Sequence, residues 1–344
     1  MSDALDEALA RLHRTDVEFA SGRTDGLSNH GPMAAESLVE LGGEARVMPF
    51  VLQYERRLRP LPARDGRPPV LGDPTTVMAF LDRYETALAV ADPLPPLRAA
   101  LDELMPAAVS GAAHGLLRTA HATRALLARD VPVRRREVAF ALASWAIRHQ
   151  RIPGAPGSSP IEGLDVVSAL LRVPLLPVAA RVDAGLIVDR VAQVAEVPGF
   201  AEAVAAVDLD AMPMANAISS LAAAAARLFV RTPDARFVYL HALTGTSALR
   251  MLAPLLDEAA SRRALGAVFH AVAALHATYG HESSLRALDE PIATEGCLDR
   301  EALRARALAT DDDHDVKMIA AALREHAIDP RPEFLAAASI RVAR

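Results

Sequence analysis

The sequence predicts an all-α protein that folds as one large domain of many helices. Hydrophobic residues make up 51% of its 344 residues, but aromatic residues make up only 4%. Alanine and leucine, both strong helix formers, therefore supply most of the apolar mass. No long run alternates apolar and polar residues with the period of two that is typical of a half-buried strand. We expect buried Ala- and Leu-rich helices packed around a central site.

Capping residues, prolines and glycines divide the first half of the chain into helices. Ser28 or Asn29 can cap a helix that runs to about Leu41. Pro32 suits the first turn of that helix, and a pair of glycines follows its end. In chain order we predict a helix at 2–13, the helix ending near 41, a loop at 59–73, and helices at 74–91, 97–129 with a break near Pro106, and 132–150.

The second half follows a loop rich in proline and glycine at 151–160. Short helices are predicted at 161–171, 184–195 and 198–206, longer ones at 208–231, 234–256 and 258–279, and the last three at 299–308, 313–327 and 331–342. The loop separates two helical halves, but candidate site histidines lie on both sides of it. We therefore predict a single domain over residues 1–344.

Composition and missing motifs exclude several classes of protein. The formal net charge is -6 and no basic block occurs, so neither nucleic acid nor a membrane surface is an expected partner. The apolar run at 217–230 contains Arg227 and is too short to span a bilayer. The single cysteine, Cys297, cannot form an internal disulfide, and no signal-peptide pattern opens the chain, so we expect a cytoplasmic protein. Dinucleotide, Walker, GxSxG and HExxH motifs are absent.

The only lysine of the chain, Lys317, stands among 36 arginines. Codon bias can explain the arginines, but it does not explain where the lysine lies. Asp312 or Asp313 can cap a helix on which His314 and Lys317 lie at i and i+3, on one face. A neutral lysine amine can act as a base. Its CO2 adduct, a carbamate, can bind a metal through oxygen, and imidazole with carboxylate-like oxygen suits oxygen-activating iron.

Other histidines are candidates for the same site or for hydrogen-bonded roles in the core. His114, Arg118 and His121 share one helical stripe at i, i+4 and i+7. The remaining candidates on apolar helices or at a helix start are His30, His241, His270 and His276. Spacing along the chain does not say which of them converge. Four histidines near helix ends or among charges are expected to be solvated: His13, His149, His281 and His326.

Four short motifs in a fixed order resemble the questin oxidase-like family. They are Leu27-Ser-Asn-His-Gly-Pro-Met33, His114-Gly-Leu-Leu-Arg118, Tyr239-Leu-His241-Ala-Leu-Thr244 and His314-Asp-Val-Lys317. Fungal members show Asn-His, His-x-Leu-Ile-His, His-x-x-Thr and His-x-x-Lys elements in this order. The resemblance covers about residues 20 to 325. Arg118 stands where fungal members often have a second histidine, and His121 stands where an aromatic residue is common.

The resemblance implies an α-helical oxygenase that opens aromatic polyketide rings of the anthraquinone type, by dioxygenation or a formal Baeyer–Villiger oxidation. It implies Fe(II), or another divalent metal, bound by His30, His114, His241, His314 and the carbamate of Lys317, with O2 as co-substrate. Lys317, Arg118 and His121 are then candidate catalytic residues, and Arg118 is expected to hold a phenolate or quinone oxygen.

The expected partners are a small aromatic substrate and a second copy of the chain in a homodimer. Two alternatives stay open. One is a metal-free oxidase that uses NADPH or flavin with Lys317 as the base. The other is a non-catalytic helical binding protein whose histidines belong to the core.

Overall fold

A computed structural model describes residues 4–21, 24–182, 185–282 and 290–343. It confirms the all-α class and a single helical domain. The described residues form sixteen α-helices: α1 Ala4–Leu12, α2 Gly31–Glu40, α3 Glu44–Tyr54, α4 Val77–Leu88, α5 Leu94–Leu104, α6 His114–Ala128, α7 Pro132–Ile147, α8 Val166–Leu170, α9 Ile187–Ala192, α10 Phe200–Ala205, α11 Met214–Arg231, α12 Arg236–Leu252, α13 Glu258–Tyr279, α14 Arg300–Ala309, α15 Asp313–Ile328 and α16 Pro332–Val342.

The remaining regular structure is short. Two antiparallel strands, β1 Glu18–Ser21 and β2 Thr24–Ser28, pair Phe19 with Leu27. Single 3-10 turns lie at Glu55–Arg57, Pro74–Thr76, Met105–Ala107, Val178–Ala180, Gln193–Glu196, Pro233–Ala235 and Ala253–Leu255. None of the helices in the described ranges is long and apolar enough to cross a membrane.

Several predicted elements differ from the structure. Neither α3 nor the strand pair was predicted. The break near Pro106 in the predicted helix at 97–129 is confirmed, because α5 ends at Leu104 and α6 begins at His114. The predicted helices 2–13 and 184–195 begin at residues that lie outside the described ones. His30 is the N-cap residue of α2, whereas the side chain of Asn29 accepts the amide of Gly31 at 3.0 Å.

Four helices from distant parts of the chain form a closed ring in the core. α2 packs against α6, α6 against α12, α12 against α15, and α15 returns to α2. Almost every residue of α12 from Val238 to Leu252 is buried, as its apolar sequence predicts. Each helix of this ring carries one of the four histidines that the family resemblance names as ligands.

The turn that precedes α6 has an unusual backbone. Gly111, Ala112 and Ala113 have φ values of 58°, 56° and 67°, and alanine rarely adopts this left-handed region. Trp145 on α7 lies over the first turn of α6 and donates its indole N–H to the carbonyl oxygen of Ala107 at 2.9 Å. Such backbone strain clusters at functional sites, and here it directs His114 toward the ring of helices.

Candidate metal centre

Four histidine rings meet where the ring of helices closes. The centroid of the His30 ring lies 4.5 Å from that of His114 and 4.6 Å from that of His314. The His241 ring lies 4.8 Å from His114 and 5.8 Å from His314. The structure therefore places His30, His114, His241 and His314 in one cluster, although 284 positions separate the first from the last.

Every ring of this histidine cluster is held through its Nδ1 atom. His30 Nδ1 and His314 Nδ1 lie 2.7 Å and 2.9 Å from Oδ1 of Asp313. His114 Nδ1 contacts the carbonyl oxygen of Gly111 in the strained turn, and His241 Nδ1 lies 2.6 Å from the carbonyl oxygen of Phe237. Because each partner is an acceptor, each neutral ring carries its proton on Nδ1 and keeps a lone pair on Nε2.

Three of the four Nε2 atoms have no hydrogen-bond partner among the residues that the structure describes. They are the Nε2 atoms of His114, His241 and His314, and all three are buried. An unsatisfied buried polar atom costs about 1–3 kcal/mol, so three in one cluster call for an explanation. Ligating atoms of His30, His114 and His314 all lie within 4.8 Å of one another. That group does not include His241. A divalent cation bound by it would give a partner to the ring nitrogens of His114 and His314.

The electrostatic environment keeps the cluster neutral. Burial, with repulsion from Lys317, lowers the pKa of His30 to about 3. Burial also lowers the pKa values of His114 and His241 well below the ordinary value, and that of His314 to a lesser degree. Neutral imidazole is the form that binds a metal. The rings are therefore ready to bind a metal at neutral pH, before any ligand arrives.

As predicted, Lys317 lies on the same face of α15 as His314, and it is buried. Its Nζ atom is 3.8 Å from Oδ1 of Asp313, an ion-pair distance that exceeds a good hydrogen bond. Burial lowers the pKa of Lys317 to about 8, although Asp313 opposes that shift. At pH 7 about a tenth of the amine is then unprotonated, which is the form that reacts as a base or with CO2.

Asp313 is the central residue that the sequence analysis missed. The side chain of Asp312, not Asp313, caps α15 by accepting the amide of His314 at 2.8 Å. Asp313 is thereby free to face the histidines. Burial by itself raises the pKa of Asp313, but its interactions with His30, His314 and Lys317 outweigh that effect and lower the pKa well below its usual range. A carboxylate that fixes the tautomer of two imidazoles is a common partner of metal-binding histidines.

Arg118 and His121 point away from the cluster, each toward a buried carboxylate. Arg118 Nε and Nη2 donate to the two oxygens of Glu137 at 2.7 Å and 3.2 Å, and its Nη1 is buried with no partner in the described ranges. His121 Nδ1 lies 2.7 Å from Oε2 of Glu36. Of these three residues, only His114 therefore belongs to the cluster. His121 follows it by seven residues, which is about two helical turns further along α6.

The remaining histidines have mixed outcomes. His13 was expected to be solvated, but it is buried with Nε2 2.9 Å from Oε2 of Glu137, so that prediction is wrong. The buried carboxylate of Glu137 needs hydrogen-bond partners, and His13 is one of them. His276 meets the hydroxyl of Tyr239 at 2.8 Å, and His270 donates to the carbonyl of Pro153 at 2.7 Å. Both therefore have the core role that was one of the two interpretations.

A surface cavity elsewhere on the protein does not lead to the histidines. Its volume is about 730 Å³, and its walls come from α1, α2, α6 and α7, with Glu36, Glu40 and Arg124 among the lining residues. These side chains are already paired, since Arg124 binds both Glu36 and Glu40. The chemistry of the histidine cluster, rather than cavity size, identifies the candidate site.

Comparison with known proteins adds no identification. No family model matches the chain, and a search of curated proteins finds no significant match.

Proposed function

We propose that the chain is a metal-dependent oxidoreductase, a non-heme Fe(II) oxygenase that acts with O2 on an aromatic, anthraquinone-like substrate. The observation that carries the proposal is the set of three buried Nε2 atoms, on His114, His241 and His314, without partners among the described residues. A ligand set of neutral imidazoles suits first-row metals such as iron. His30 would be the fourth nitrogen ligand, since it shares Asp313 with His314.

The residues of the site have separable roles in this proposal. The four histidines hold the metal, and Asp313 fixes the orientation and tautomer of two of them. Iron bound by such a shell supplies the electrons with which O2 reacts. The surrounding apolar helices exclude bulk water, which strengthens electrostatic interactions in the site.

Lys317 would supply the anionic ligand as a carbamate. In that reaction the neutral amine nitrogen attacks the carbon of CO2 and forms an N–C bond. One C=O π bond opens with its electron pair passing to oxygen, and one proton passes from the nitrogen to water. The product carries one negative charge in place of the positive charge of the ammonium. A pKa of about 8 makes the neutral amine accessible near neutral pH. Without CO2, the same amine can serve as a base, which is the metal-free alternative.

Metal analysis and mutation test the proposal together. We expect purified protein to bind Fe(II) in a one-to-one ratio and to consume O2 with a hydroxyanthraquinone probe. His241→Gln is expected to abolish both. The matched control is His276→Gln, because His276 is equally buried and its Nε2 also lacks a partner in the described part of the chain, but it lies outside the cluster. Protein that binds no transition metal, or equal effects of the two variants, would contradict the proposal.

Lys317 has its own test. Lys317→Arg keeps the positive charge but cannot form a carbamate, so iron affinity and O2 consumption should fall by at least about tenfold. Labelled bicarbonate should give a carbamate carbon signal in the wild type but not in the variant. Activity lost without any carbamate signal in the wild type would favour Lys317 as a base.

A further inference from the structure

We infer that ligands reach the histidine cluster between Arg57 and Phe237, and that these two side chains select a planar ring carrying an anionic oxygen. This inference rests on the proposed function, since it takes the cluster to be the place where the ligand reacts. It assigns ligand recognition to two residues that no motif indicated.

The cluster approaches the surface at His314. The side chain of His314 is 17% exposed, whereas those of His30 and Asp313 are 8% and 9% exposed. His241 and His114 are buried. A ligand that enters from solvent therefore meets the His314 side of the cluster first.

Two half-exposed side chains flank this point. Phe237 is 48% exposed, and its ring centroid lies 4.9 Å from those of both His241 and His314. Single exposed apolar side chains are common, so it is the contact with two candidate ligands that distinguishes Phe237. The ring of Phe237 offers a face or edge on which a flat aromatic ligand can stack.

Arg57 contacts Asp313, the residue that precedes His314 in α15. Its Nη2 donates to Oδ2 of Asp313 at 3.2 Å while half of its side chain stays exposed. Its guanidinium lies over the ring of Tyr54, 4.3 Å from the centroid, and the hydroxyl of Tyr54 in turn accepts the backbone N–H of His30 at 2.7 Å. Stacking orients the guanidinium, so its remaining donors can bind a phenolate or carboxylate oxygen.

Arg118, the arginine that the sequence favoured for this role, is less suitable. It is 2% exposed and gives two of its donors to Glu137. Arg57 and Phe237 instead contact consecutive residues, Asp313 and His314, at the start of α15. Because Asp313 and His314 are consecutive, these contacts place a cationic and an aromatic side chain at the same end of α15.

Binding of small probes tests the inference without requiring turnover. The probes are 2-naphthoate, neutral 2-naphthamide and saturated decahydro-2-naphthoate, measured by equilibrium dialysis with metal-free and Co(II)-loaded protein. We expect the wild type to prefer 2-naphthoate over both analogues by about tenfold. Arg57→Gln should remove the preference over the amide, and Phe237→Leu should remove the preference over the saturated acid.

Matched variants distinguish a loss of ligand recognition from a general loss of protein structure. Arg57→Lys should retain part of the preference for the anion, because it keeps the charge. Arg56→Gln and Leu52→Ala change exposed residues nearby and should leave all three affinities unchanged. Wild-type protein without saturable naphthoate binding, or variants that keep its preferences, would overturn the inference. Wild-type protein that binds the probes but not Co(II) would instead contradict the proposed function and leave this inference standing, because probe binding is also measured without metal.

Discussion

The imidazole of His30 donates a 2.7 Å hydrogen bond to Asp313, a residue 283 positions further along the chain. Asp313 also accepts from His314, its immediate neighbour. One carboxylate therefore couples the first helix of the ring to the last. Loss of this carboxylate should disturb two candidate ligands at once.

Asp313→Asn tests this coupling. The amide keeps the size of the side chain but loses the charge, and one of its two polar atoms is a donor that cannot accept from an imidazole N–H. Loss of such a carboxylate partner typically lowers metal affinity about 10–100-fold, and we expect an effect of that size in a Co(II) titration. Asp311→Asn, which changes an exposed carboxylate two positions away, should have little effect. Equal affinities of the two variants would show that Asp313 does not position the ligands.

The metal-free protein should lose stability steeply as the pH falls below about 6.5. Each unfolded histidine binds a proton near that pH, whereas burial lowers the folded-state pKa values of His30, His114, His241 and His314. The unfolded state then binds more protons, so stability decreases with falling pH by up to about 1.4 kcal/mol per pH unit for each histidine. Above about pH 7.5 this contribution to stability is fully present.

Urea unfolding between pH 5 and 7.5 measures that slope. His241→Gln removes one of the four titrating groups of the cluster and should reduce the slope by about a quarter of the contribution that the cluster makes. A saturating divalent metal should raise the stability across this range without steepening the dependence, because the folded rings are already neutral before the metal binds. A stability that does not change over this range would contradict the neutral cluster.

Arg118→Met should destabilise the fold by about 3–5 kcal/mol, because Glu137 would keep a buried charge without its main partner. The metal affinity of the folded protein should stay unchanged, since Arg118 faces Glu137 and not the histidines. The comparison is Arg83→Met, which breaks an exposed pair with Glu103 and should cost about 0–1 kcal/mol. Urea unfolding and a Co(II) titration on the same samples distinguish these outcomes. A loss of metal affinity in folded Arg118→Met would return Arg118 to the site.

Local signals predicted most of the helices. Apolar periodicity marked α12, α13 and α15, and the paired aspartates marked the start of α15. α3 was missed, and it contains Pro49, which normally argues against a helix interior. The strands escaped prediction because β1 and β2 have only four and five residues, too few for a period of two to appear.

Within the candidate site, only the residues that lie in a motif could be predicted from the sequence. Helical spacing pairs His314 with Lys317, but it cannot say which helices are neighbours, so the convergence of four histidines needed the resemblance or the structure. The role of Asp313 could not be predicted, because either Asp312 or Asp313 can cap α15 and the sequence does not distinguish them. Arg57 and Phe237 lie in no motif, and only their position beside the first turn of α15 distinguishes them.

The closed ring of helices also sets the order of events during synthesis. His30, on the first member of the ring, emerges from the ribosome long before His314, on the last. A nascent chain that ends before residue 313 lacks both the shared carboxylate and one candidate ligand. A metal bound by all four histidines would therefore enter only after the C-terminal helices have been made.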